Sequence, residues 1–225
     1  MMKAMLLAAG RGERLRPLTD RLPKALVVVG GKPLLGWHLE RLAASGCREA
    51  VINVSHLAER IVDYVADGRR FGLAVRYSRE AAPLETAGGI ATALPLLGDE
   101  PFLLVNADIY CEVPFRPLLG HRLGSMLAHL VLVPNPAHRP KGDFSLAAGR
   151  IGDGASPRYT YAGVAVMSPQ LVAPVKRGAK APLAPLLYNA VADERLSGEV
   201  FTGLWQDVGT AERLAELAAQ LASRT

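Results

Sequence analysis

The chain has 225 residues, half of them hydrophobic, with 26 basic and 21 acidic side chains and a formal charge of +5. That length fits one α/β domain, and a small, scattered charge excess with only 6% aromatics argues against a nucleic-acid-binding surface. Cys47 and Cys111 show no ligand-like spacing, no apolar run approaches membrane-spanning length, and Arg11, Glu13 and Arg14 cut the N-terminal apolar run short, so a cytoplasmic protein without disulfide, zinc site or membrane partner is expected.

Strand and helix patterns alternate through the first half. AMLLA (4–8) is a buried strand. PLLGWHLERLAAS (33–45) carries apolar residues at helical spacing, with Pro33 suited to a first turn and Gly46 to a C-cap. EAVINV (49–54) predicts a second strand, HLAERIVDYVADG (56–68) a second helix and LAVRYS (73–78) a third strand. The five histidines form no metal spacing; His38 falls on a helix surface and His56 at a helix start. A helix is expected from Gly89 through IATALPLL, with Thr86 as a candidate N-cap, and PFLLVNAD (101–108) is a strand ending in polar residues. This alternation implies a mostly parallel sheet with helices on both faces.

The second half changes character. HLVLV (129–133) and YTYAGVAVM (159–167) predict strands, and the Gly-, Pro- and charge-rich stretch between them predicts loops plus a hairpin inserted on the sheet. AERLAELAAQLAS closes the chain as an amphipathic helix, with Thr210 as N-cap and Glu212 favourable to its dipole. The whole is expected to be one domain over 1–225, with a ligand-binding half at 1–110 and a second half at 111–225.

In an open α/β sheet, ligands bind beyond the carboxyl ends of the strands, which directs attention to the loop after the first one. Gly10 and Gly12 let the backbone turn tightly and approach a ligand, while Arg11, Arg14, Arg16 and Lys24 supply positive charge for an anion. Two phosphate-binding patterns fail here. The dinucleotide fingerprint needs glycine where Leu15 stands, and the P-loop needs glycine and Ser or Thr where Leu26 and Pro33 stand.

AAGRGERLRPLTDRLPKALVVVGGKPLL (8–35) resembles the N-terminal signature of the sugar-1-phosphate nucleotidylyltransferases. LETAGGI (84–90) resembles that family's base-recognition loop, VNAD (105–108) its metal-binding strand end and WQDVGT (205–210) its second metal-site motif. The combination of PLETAGGI, HLVLVPNP, KGDF and LWQDVGT is similar to uridylyltransferases of cell-wall recycling.

The resemblance implies a glycosyltransferase-A-like core with a Rossmann-like, mostly parallel but mixed sheet. The implied partners are a nucleoside triphosphate, UTP, and a sugar-1-phosphate; the implied cofactor is Mg²⁺, and a monomer is expected. Ala9, Gly10, Arg11, Gly12 and Glu13 would bind the nucleotide, with Arg14 on the β/γ-phosphates and Lys24 on the α-phosphate. Glu80, Thr86 and Gly88 would meet the base. Asn53, Glu85, Asn106 and Asp143 are the acceptor-sugar candidates, with Lys141 as the alternative partner of Asp143. Asp108 and Asp207 would hold the metal, and Arg14, Lys24 and Asp108 form the catalytic set. Arg11 and Arg16 could equally be solvated loop charges.

Two departures stand out. Ala107 replaces the glycine common before the metal aspartate, which would narrow the space beside the sugar, and neither Lys176 nor Lys180 aligns with the family's second phosphate-binding lysine. Guanylyl transfer to mannose-1-phosphate, or thymidylyl or uridylyl transfer to glucose-1-phosphate, is the alternative within the family. Outside it stand a dinucleotide-dependent oxidoreductase and a catalytically dead sensing subunit; Lys24, Asp108 and Asp207 argue against both.

Overall fold

The computed structural model describes residues 1–154 and 157–224; positions 155–156 of the predicted hairpin stretch and Thr225 lie outside them. In chain order the elements are β1 (Ala4–Leu7), β2 (Val28–Val29), β3 (Lys32–Pro33), α1 (Leu34–Ala44), β4 (Glu49–Val54), α2 (Ala58–Val65), β5 (Ala74–Arg79) and α3 (Glu85–Leu97). They continue as β6 (Phe102–Asn106), β7 (Ile109–Cys111), α4 (Phe115–Leu119), β8 (Ala128–Val133), β9 (Phe144–Ala147), β10 (Arg150–Gly152) and β11 (Arg158–Met167). The last are α5 (Ala184–Ala192), β12 (Leu196–Val200), β13 (Trp205–Asp207) and α6 (Ala211–Ala222).

Nine strands form one sheet in the order β5-β4-β1-β6-β11-β8-β12-β10-β9. All but β10 and β11 run in the same direction, which makes the sheet mixed but mostly parallel. The central strands are apolar along their whole length because helices cover both faces. On one face Leu35, Leu39 and Leu42 of α1 and Ile61 of α2 pack against Leu6, Ile52 and Val105. On the other, Ile90 and Ala93 of α3 and Leu187 of α5 pack against Met5, Leu104 and Leu130. Helix α6 closes a smaller cluster through Leu217, with Val208, Leu34 and Tyr110.

Thr210 caps α6 as expected, its side chain accepting from the Arg213 N–H, and the predicted hairpin forms as β9–β10. Two expectations need correction, and two elements had not been expected. Helix α3 starts at Glu85, four residues before Gly89, so Thr86 lies inside its first turn and Leu84 takes the N-cap position. His38 is not on a helix surface: it is 1% exposed, because the apolar stripe of α1 is wide enough to carry one imidazole into the core. Helix α5 and strand β12, which pairs parallel with β8, had no periodic signal in the sequence strong enough to stand out from their Pro- and Gly-rich flanks.

Candidate active site

Two adjoining cavities open at the carboxyl end of the parallel strands. The first, about 190 Å³, is lined by Leu7 to Gly10 after β1 together with Asn53, Glu80, Leu84 and Thr86. Its floor is a buried hydrogen-bond chain. Asn53 Oδ1 accepts from the Ala8 N–H at 2.8 Å, and Asn53 Nδ2 donates to Glu80 Oε1 at 2.6 Å. Glu80 Oε2 in turn accepts from the Leu84 N–H at 3.1 Å. Asn53 and Glu80 are 3% and 7% exposed, so their polar atoms are spent on joining the β1 loop, β4 and the start of α3. Both residues line the cavity, but they hold its walls together.

Glycine matters at two points of the first loop for different reasons. Gly12 has a left-handed backbone, φ +66, and a Cβ there would lie 2.9 Å from Thr19 Cγ2 and 3.0 Å from Lys24 Cβ. Gly10 needs no such conformation, and nothing among the described residues lies within 4 Å of where its Cβ would be. The space in front of Gly10 belongs to the cavity.

Lys24, Glu85, Thr86, Asn106 and Asp108 line both cavities and form the wall between them. Lys24 is buried, 8% exposed, and its Nζ donates to Asp108 Oδ2 at 2.5 Å. A buried ammonium paired with a half-exposed carboxylate leaves the one charge that the other cannot fully satisfy facing the cavity junction. Glu85 begins α3 with a left-handed backbone, φ +59, uncommon for a non-glycine residue, and its carboxylate lies 3.3 Å from Lys180 Nζ.

A two-stranded ribbon brings the distant aspartates together. β13 pairs antiparallel with β7, placing Asp207 opposite Ile109, and the Val208 N–H donates to the Asp108 carbonyl at 3.0 Å. From α1, His38 Nε2 donates to the Ile109 carbonyl at 2.8 Å and Arg41 donates to that of Cys111, so the ribbon is braced from behind. Burial holds the His38 imidazole down at about 4, so it is neutral. Arg213 Nη1 donates to Asp207 Oδ2. Asp207 Oδ1 is buried, accepts no hydrogen bond among the described residues, and has His138 Nε2 at 3.1 Å. Such an oxygen suits a cation, and Asp108 and Asp207 are the residues placed to hold one.

The second cavity, about 520 Å³, runs from this wall toward β11 and α5. Its far side is part aromatic: Phe144 and Tyr188 rings pack 5.4 Å apart beside Leu183 and Leu187. Asp143 contributes the polar part, its Oδ2 accepting from the Tyr161 N–H at 2.8 Å with Arg139 Nη1 at 3.4 Å. Gly163, φ +75, sits in an irregularity of the β11–β8 pairing, and a Cβ there would fall 2.7 Å from Asn106 Nδ2.

Of the residues singled out in the sequence, Ala9, Gly10, Lys24, Asn53, Glu80, Glu85, Thr86, Asn106 and Asp108 converge on the first cavity. Arg14, Asp143 and Asp207 join at the second. Arg11, Gly12 and Glu13 line neither, and Arg16 pairs with Asp20 at 3.2 Å. Gly88 faces away from the first cavity: its Cβ would lie 2.2 Å from the Ala179 carbonyl oxygen, so the glycine serves close packing of the 179–181 strap on α3. Asp143 pairs with Arg139 in place of Lys141. The Ala107 methyl is fully buried in the core beneath the sheet and narrows neither cavity. Missed altogether were Arg139, Phe144, Tyr161, Leu183, Tyr188 and Arg213; only KGDF and the N-terminal turn of the last helix hinted at this side.

Residues 3–141 match the family model described as Nucleotidyl transferase. The chain belongs to the nucleotidyl transferase family. Within that family, N-acetylmuramate alpha-1-phosphate uridylyltransferase of Neisseria meningitidis serogroup B (strain ATCC BAA-335 / MC58) is 48% identical, with 97% of each chain covered. The protein of the same name from Caulobacter vibrioides (strain ATCC 19089 / CIP 103742 / CB 15) is 35% identical over 96% of this chain and 95% of its own. A crystal structure of UDP-glucose pyrophosphorylase complexed with UDP-glucose shares the fold over the full length of both chains, with a TM-score of 0.82 at 18% identity. The resemblance seen in the sequence motifs is thus to the family to which this nucleotidyl transferase belongs.

Proposed function

We propose that the protein transfers a uridylyl group from UTP to N-acetylmuramate α-1-phosphate, as a single cytoplasmic domain acting as a monomer. The observation that carries this reading is the Lys24–Asp108 pair standing in the wall between two cavities, in a chain 48% identical to a relative of that name.

In the reaction an oxygen of the acceptor phosphate attacks the α-phosphorus of the nucleotide. The bond from that phosphorus to the α,β-bridging oxygen breaks, and pyrophosphate leaves. No covalent bond to the protein is needed, so the protein's work is to align two anions and offset developing charge. Ala9 and Gly10 would present backbone to the nucleotide, with Thr86 at the base, while the Asn53–Glu80 chain fixes the separation of those walls. Lys24 would meet the α-phosphate at the junction, where its partner Asp108 already orients it. Arg14, which reaches the second cavity beside Gly209, would take the outer phosphates. Asp108 and Asp207 would hold Mg²⁺, whose chemistry there is charge neutralisation on the triphosphate. Asn106 and Asp143 would meet acceptor hydroxyls, and the Phe144–Tyr188 wall would pack on the sugar.

The test is pyrophosphate release with Mg²⁺, crossing five nucleoside triphosphates with the 1-phosphates of N-acetylmuramate, N-acetylglucosamine, glucose and mannose. Preference for UTP with N-acetylmuramate 1-phosphate is expected. Preference for GTP with mannose 1-phosphate, or for dTTP or UTP with glucose 1-phosphate, would replace the proposed substrates, and no release with any pair would remove the enzyme reading.

A further inference from the structure

The acceptor proposed above differs from simple hexose 1-phosphates in one chemically decisive way: its lactyl ether ends in a carboxylate. A second anion, remote from the phosphate, needs a cation or it pays a desolvation penalty on entering a half-enclosed cavity. Three cationic side chains line the second cavity: Arg14, Lys24 and Arg139. Lys24 is committed to Asp108, and Arg14 lies against Gly209, where a Cβ would be 3.1 Å from its Nη2; both are at the phosphate end. Arg158 lies nearby, but both its terminal nitrogens already donate, Nη1 to Asp153 and the Gly154 carbonyl and Nη2 to the Asp143 carbonyl.

Arg139 is held less tightly than these. It stands beside Asp143, and its side chain is 56% exposed. Its contact with Asp143 is long, 3.4 Å, and falls on an oxygen that already accepts the Tyr161 N–H at 2.8 Å. A loose single contact through Nη1 leaves the other guanidinium donors able to take a carboxylate side-on, the two-point geometry for which arginine is suited and lysine is not. We infer that Arg139 receives the carboxylate of the acceptor sugar and is the residue that selects a carboxylate-bearing sugar over its uncharged counterpart. Asp143, released from this pairing, is then free for a hydroxyl.

This inference rests on the proposed acceptor, and the experiment separates the two. Wild type, Arg139→Gln and Arg139→Lys would be compared on N-acetylmuramate 1-phosphate and on N-acetylglucosamine 1-phosphate, which lacks only the lactyl group. Both kcat/KM with UTP and calorimetric Kd in the presence of a non-hydrolysable UTP analogue would be read, so that a poor substrate still reports. Arg139→Gln is expected to weaken the muramate compound about 30-fold and to leave the glucosamine compound within about 3-fold, the size expected for one charge-assisted pair. Arg139→Lys should recover part of the loss. Equal losses on both sugars would show that Arg139 merely supports Asp143, and no loss on either would place the carboxylate elsewhere; each overturns the inference while the proposed function stands. Wild type that ignores the muramate compound and favours another acceptor would remove both.

Discussion

The cavities on either side of Lys24 and Asp108 are built by opposite means. The first takes its walls from the ends of β1 and β4, from the loops that follow β1 and β5 and from the start of α3, all delivered to one end of a parallel sheet by successive crossovers. The second draws on Asp143 and Phe144, on the middle of β11, on α5 and on β13, segments joined by antiparallel pairing across long stretches of chain. In the first, strand direction brings the walls to one place and one short hydrogen-bond chain ties them. In the second, register and packing must each be right before any two walls meet.

The sharpest way to break this comparison is at the shared wall. Lys24→Met should lower kcat by about 10²–10³-fold, the range seen when one preorganised stabilising group is lost from a transition state. Circular dichroism should show the fold retained. A kcat within tenfold of wild type would mean that the chemistry does not occur at the junction of the cavities.

Two glycines, one on each kind of construction, sharpen it further. Gly88→Ala drives a methyl toward the Ala179 carbonyl oxygen, 2.2 Å away, and must push back a backbone strap whose Ala181 carbonyl accepts the Gly88 N–H. Overpacking of this kind costs about 2 kcal/mol, which in a chain of this size lowers Tm by roughly 4–8 °C. Gly10→Ala meets no atom of the described residues within 4 Å. Its Tm should stay within about 1 °C while KM for UTP rises by roughly 5–10-fold, because the methyl occupies space that a ligand uses. Thermal melts and steady-state kinetics on both variants check the pair; a destabilised Gly10→Ala with unchanged KM would place the nucleotide elsewhere.

This contrast also explains which parts of the molecule could be read in advance. The first strands, α1 and the nucleotide-side loop were legible because each is a local pattern: a short apolar run, a 3.6-residue stripe, glycines after a strand. Lys24, Asp108 and Asp207 were legible from short motifs, though only the β7–β13 ribbon shows how two aspartates a hundred positions apart become neighbours. Gly88 was misassigned because a glycine that admits a ligand and one that admits a neighbouring carbonyl look alike in sequence. Phe144, Tyr188 and Leu187 were invisible as a wall, since nothing local in a hairpin strand and a short helix announces that they face each other. His38 was missed for the opposite reason: helical spacing placed it correctly on α1 but said nothing of how far round the helix burial extends.

His38 also supplies the smallest and most diagnostic effect. Its Nε2 faces the Ile109 carbonyl, which can only accept, so the proton sits on Nε2 and leaves Nδ1 bare, buried and without a hydrogen-bond partner among the described residues. Charging the ring would put an N–H on Nδ1 with no acceptor and an uncompensated cation in the core, which is why burial depresses it from 6.5 to about 4. The unfolded chain therefore takes up this proton first as pH falls. The stabilising contribution is complete above about pH 6.5 and is lost progressively toward pH 4, by about 3 kcal/mol at most. His129, depressed to about 4 by burial and by neighbouring His121, titrates in the same sense, so His38→Gln should reduce the acid-side slope of Tm against pH to about half without flattening it. His38 rises from α1 to brace the ribbon that carries Asp207 and follows Asp108, and because its ring stays neutral in the folded chain down to about pH 4, that brace is kept while the unfolded chain takes up its proton. The Tm of the wild type should thus begin to fall near pH 6.5 while the acceptor KM is unmoved by this group until the pH approaches 4, and a KM that climbs first would locate the acid-labile element outside His38.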